Sequence, residues 1–185
     1  PDQAAHDCTP PYHHQRAKHR AGDEQTDVGG GKRRLAQSTD AHYLTARMRL
    51  ICLELSQKNV YRSDSEEALH RRVIALAEGP EWADFPGIST YLSAIRMLQH
   101  SGDSAHYHAF LQKMEATAVH FSGDERREFF MFAINHCIRR ANSGDKEMER
   151  ELLNLYRRAL ASESLFENGI LSRFTYHNIV AAGLR

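Results

Sequence analysis

Histidine and cysteine are the residues of this chain best equipped for chemistry, with 12 of the first and 3 of the second among 185 positions. His6, Cys8, His13, His14 and His19 fall in one short tract and include ligand types that zinc accepts. Their spacing matches no established finger, and nothing around them would hold four ligands in place. The tract reads as a His-rich tail. His106 and His108 are two positions apart, about 200° on a helix, so they cannot share an ion there. His136 and Cys137 have the residue types of a base and a nucleophile. Adjacent helical residues point about 100° apart, so His136 cannot take the Cys137 proton while the helix stands. Cys137 falls on an apolar stripe, where cysteine behaves as a small buried hydrophobe, and Cys52 has the same placement.

Other motifs are weaker still. Gly29-Gly30-Gly31-Lys32 lacks the terminal Ser or Thr, the correctly spaced glycine and the preceding strand of a phosphate loop. Lys32-Arg33-Arg34 and Arg71-Arg72 are short basic patches that read as solvated surface. Glu66, Glu67, Glu125 and Glu128 stand at helix starts, where they oppose the macrodipole favourably. Asn135 and Asn178 are the polar residues of most interest. Asn135 lies opposite the main apolar stripe, near Met131 and Phe132, and is expected to bridge to a neighbouring helix through a structural hydrogen bond. No catalytic, cofactor-binding or metal-binding residue is expected, and no cofactor.

The elements that carry these residues are helical throughout. Ser122 to Arg140 is the organising stretch: Ser122 and Glu125 form a capping-box pattern. Phe130, Ala133, Ile134, Cys137 and Ala141 then recur at helical spacing, with Phe129 and Phe132 roughly opposite. A helix apolar over that much of its circumference is expected to be buried on two sides. Before it, helices are expected from Asp40 to near Asn59, from Ser63 to Ala77, from about Ile88 to His100 and from Asp103 to about Phe121. Trp82, Phe85 and Pro86 fall in a connection and should plug the space between helix pairs. After it come a helix from Asp145, a turn around Leu165 to Asn168, and a last helix capped by Ser172 and ending near Gly183. Nothing reads as strand. Ser-Gly-Asp recurs at 101–103, 122–124 and 143–145, each between two helices, where Gly can end one and Ser or Asp can cap the next. Short turns force antiparallel neighbours, and stacked antiparallel pairs make an α-solenoid.

Composition bounds the rest. With 24 basic and 24 acidic residues the net charge is zero, so no strong basic field advertises nucleic acid. No apolar run approaches the ~20 residues of a membrane span. An odd number of cysteines without framework spacing argues for a reducing, cytoplasmic setting. The start, PDQAAHDC, lacks an initiator Met and the apolar core of a secretory signal, as a cut chain would. Residues 1–37 hold Thr9-Pro10-Pro11, three glycines in a row and few spaced apolar residues; they are expected to be disordered apart from a short helix between Gln15 and Arg20. The helical domain is expected over residues 38–185.

Several stretches carry a resemblance. They are Asn135 to Gly144, Glu151 to Tyr156, Leu165 to Ser172, Thr175 to Val180, and Asp40 to Leu55. Together they resemble a family of uncharacterised Bacteroidetes helical-repeat proteins, similar in architecture to tetratricopeptide proteins and without an assigned activity. The resemblance covers about residues 38–185 and implies an antiparallel helical-hairpin repeat, here an internal piece of a longer array. Thr175 to Leu184 is also similar to the first helix of a pentatricopeptide repeat, an RNA-binding hairpin. One extra residue between Thr175 and Gly183 rotates the later positions by about 100°, and no earlier hairpin carries the motif. The expected function is therefore a non-enzymatic protein-interaction module or scaffold with an unidentified protein partner. RNA binding is the alternative, and a metal protein or enzyme a more distant one.

Overall fold

Seven α-helices account for most of the described residues, which in this computed structural model are 20–57 and 64–184 for the backbone and 31–57 and 66–184 for the side chains. They are α1 (Arg20–Ser56), α2 (Asp64–Ala77), α3 (Pro86–Gln99), α4 (Ser104–Thr117), α5 (Gly123–Asn142), α6 (Lys146–Ala161) and α7 (Arg173–Gly183). The protein is all-α. The chain divides into two units, residues 1–40 and 41–185.

In the first unit, helix begins at Arg20 rather than at the expected Asp40 cap, so residues 20–37 are helical where disorder was expected. No proline interrupts Arg20 to Ser56, and extending an existing helix costs far less than starting one. The side chains of residues 31–40 are exposed at every position. The rest of the expected disordered head, with the metal-ligand tract, lies outside the described residues, as do Asn59 and Ser63.

In the second unit, α5 is the element around which the others pack. Its capping box forms: Glu125 N–H donates to Ser122 Oγ at 3.3 Å, and Ser122 N–H donates to the Glu125 carboxylate at 2.9 Å. Phe129 then meets Tyr91 of α3 at 4.9 Å between ring centres, Phe121 at 4.8 Å and Phe110 of α4 at 6.1 Å. On the other side Cys137 Sγ meets Met148 Sδ of α6 at 4.0 Å. Both faces are buried, with α3 and α4 before the helix and α6 behind it. Along the chain α3 pairs with α4, α5 with α6, and α7 packs on α6. Trp82 is buried in a single 3-10 turn, Pro80–Trp82, edge-on to Phe85 at 5.5 Å; Pro86 opens α3.

The three Ser-Gly-Asp turns are built in three ways. At 143–145 Gly144 takes φ +92° and ends α5, and Asp145 accepts from Glu147 N–H and Met148 N–H to cap α6. At 101–103 only the cap is made, Asp103 accepting from Ala105 N–H. At 122–124 Ser122 is the cap and Gly123 is already helical. Arg140 links the first and third turns, donating to Ser101 O at 3.0 Å and to the Asp145 carboxylate at 2.8 Å.

One strand pair appears where none was expected. β1 (Phe166–Glu167) and β2 (Ile170–Leu171) pair antiparallel across Asn168-Gly169, both of which have positive φ, 52° and 78°. Two such central residues are what a tight hairpin with the twist of its strands requires, and Asn-Gly is the best sequence for it.

Candidate functional site

A cleft of about 470 Å³ opens between α1 and α5. Arg49, Leu53 and Ser56 line it from α1 at helical spacing, beside the buried stripe of Met48, Ile51 and Cys52. Asp124, Glu128, Met131 and Asn135 form the facing stripe on α5, with Arg127 and Phe132 flanking it. The two helices are tied across one rim. Arg49 Nε donates to Glu128 Oε2 at 2.7 Å, and an Nη donates to the other carboxylate oxygen. This two-pronged pairing with Glu128 raises the Arg49 pKa, holding the guanidinium firmly protonated. Arg127 pairs with Glu167 of β1. At the far end of α1, Arg139 donates to Leu55 O at 3.2 Å and Ser56 O at 3.4 Å, satisfying carbonyls the helix leaves open. Burial lowers the Arg139 pKa.

Asn135 is half-buried in this cleft, and its side-chain amide makes no hydrogen bond among the described residues. The structural bridge expected for it is not made among the described residues. The neighbouring helix that faces Asn135, α1, presents Leu53 and Ser56, and its last carbonyls are taken by Arg139. Among the described residues its donor and acceptor are both available. Asn178 is half-buried on α7.

His136 sits deeper. It is fully buried, its ring lies 5.6 Å from that of Tyr107 on α4 and nearly parallel to it, and neither nitrogen has a hydrogen-bond partner among the described residues. Burial lowers its pKa to about 4, and the Arg139 and Arg140 charges push the same way. Cys137 points instead toward α6, its thiol pushed up to about 12 by burial, so the adjacent pair is no dyad. Cys52 is likewise fully buried, its pKa raised by burial, with Sγ 3.8 Å from Tyr91 O. Tyr107 reaches Glu151 Oε2 at 3.4 Å.

The histidine pair of α4 separates as expected: His106 stacks on His100 at 4.9 Å, while His108 is exposed. Among the described residues no three His, Cys, Asp or Glu side chains are grouped to hold a metal, and no helix is long and apolar enough to cross a membrane. The cleft itself went unseen in the sequence. Asp124, Glu128, Met131 and Asn135 do fall on one stripe, but Glu128 looked like an acid serving the helix start. Only its partner 79 residues away gives it another role.

No protein-family model, curated protein or solved structure matches the chain.

Proposed function

We propose that this chain is a non-enzymatic protein-interaction module, built as antiparallel helical-hairpin repeats of the tetratricopeptide-like family its sequence resembles. The observation that carries the reading is the α1–α5 cleft, with an Asn135 amide that has no hydrogen-bond partner among the described residues. Its charges are largely matched internally, Arg49 with Glu128 and Arg127 with Glu167 at its edge. Leu53, Met131 and Phe132 supply its apolar lining among polar and charged side chains. Such a mixed surface favours an extended segment of polypeptide, which offers apolar side chains to these residues and a backbone amide to Asn135. The antiparallel pairs α3–α4 and α5–α6, joined by short turns, support the repeat architecture. Buried free thiols at Cys52 and Cys137 suit a reducing, cytoplasmic setting.

An affinity pull-down with and without nuclease tests the reading, with captured proteins identified by mass spectrometry. One protein enriched in both arms, and lost with Asn135→Leu, is expected. Enrichment that disappears with nuclease would put RNA binding in its place.

A further inference from the structure

Arg49, Asp124, Arg127 and Glu128 are the charged side chains that line the cleft, and three of them already have ion-pair partners. Arg49 and Glu128 hold each other across the rim, and Arg127 is paired with Glu167 of β1. Asp124 is the exception. It is exposed in the first turn of α5, and its carboxylate makes no ion pair among the described residues. Glu125 is next to it, its carboxylate bound to Ser122 N–H and Ser122 Oγ. The positive end of the helix, worth about half an elementary charge, is shared between these two acids. Arg126 is exposed but projects about 200° around the helix from Asp124. This end of the cleft is therefore acidic.

Asp124 and Asn135 share one face of α5. Their separation in sequence turns the helix through about three full turns and spaces the two residues about 16 Å along its axis. An extended chain covers that length in about five residues. Met131 lies between them on the same stripe, with Leu53 contributed by α1. We propose, resting on the reading of the cleft as a peptide site, that the segment it takes from a partner protein is basic. A Lys or Arg of that segment pairs with Asp124, and a backbone amide about five residues along pairs with Asn135. An apolar side chain between the two meets Met131 and Leu53. An acidic segment would bring like charge against Asp124 and is rejected.

Selection from a phage-displayed library of random dodecapeptides on the immobilised full chain is the test, followed by fluorescence titration of the recovered peptides. They are expected to share a Lys or Arg at one position, with an apolar residue two to four positions from it. Asn135→Leu should weaken them about tenfold or more. Asp124→Asn keeps the Ser122 and Glu125 capping box and should weaken them about three- to fivefold, less as salt rises. Selection on Asp124→Lys should recover Asp or Glu at the same position instead. Peptides that are weakened by Asn135→Leu but share no basic residue, or that bind Asp124→Asn as tightly as the parent, overturn the proposal and leave the cleft as the binding site. Peptides indifferent to Asn135→Leu, or a selection that recovers none, overturn both.

Discussion

His136 is held neutral by its surroundings, and that gives acid sensitivity a definite direction. Its ordinary pKa of 6.5 falls to about 4 in the folded chain, through burial first and the cations Arg139 and Arg140 second. Below pH 6.5 the unfolded chain takes up the proton more readily than the folded one. Stability therefore drops as pH falls from about 6.5 and levels off below about 4, a loss of about 3 kcal/mol in all. Asp145 adds to acid loss lower down: hydrogen bonds from Met148 N–H and Arg140 depress its pKa, so its contribution disappears as pH falls through the folded value. His136→Phe keeps the flat stack on Tyr107 and abandons no hydrogen bond. Urea unfolding at pH 7 should place it within about 1.5 kcal/mol of the parent, with a shallower decline toward pH 4; an unchanged decline would assign the acid sensitivity elsewhere. Phe129→Ala should cost about 3–5 kcal/mol, a large share of the roughly 5–15 kcal/mol typical of a domain, because aromatic rings from α3, α4 and the turn before α5 converge on it. The burial of His136 was open to inference from the sequence, since it follows Phe132 by four and Phe129 by seven. Its unpaired nitrogens were not, because they depend on what α4 brings opposite.

Helix ends show the same motif made with two different residues. After α5, Gly144 has φ +92° while Asp145 N–H reaches Arg140 O at 3.1 Å. After α6, Glu163 has φ 55° while Ser164 N–H reaches Ala159 O at 2.9 Å. The left-handed conformation costs a residue with a side chain about 1 kcal/mol more than glycine. Glu163→Gly is thus expected to stabilise by about that amount, and Gly144→Ala to destabilise by a similar one. Thermal unfolding of both variants checks the pair; shifts of the same sign would contradict the shared geometry. Most helix boundaries were legible because Ser122, Asp103, Asp145 and Ser172 all cap as their types suggest. The α1 start was not legible, since the helix runs on without a cap near Asp40. The tail hairpin was missed although Asn168-Gly169 signals it, because strands of two residues are too short to show alternation.

Tertiary pairing lies beyond periodicity. Arg49 and Glu128 are 79 residues apart, and Arg139 and Leu55 are 84 apart. Each of these four residues has an ordinary local reading, and only packing the helices brings them together as the frame of a cleft. An all-α architecture was readable from spacing alone; a surface formed by two helices with three others between them in the chain was not. Because Asn135 makes no side-chain hydrogen bond among the described residues, removing its amide should separate binding from stability. The most direct measurement is calorimetric titration of the captured partner into the parent and into Asn135→Leu, with thermal midpoints recorded for both. Affinity should fall about tenfold or more, a loss of about 1.4 kcal/mol, while the midpoint holds or rises. Equal affinities would move the binding surface away from the cleft.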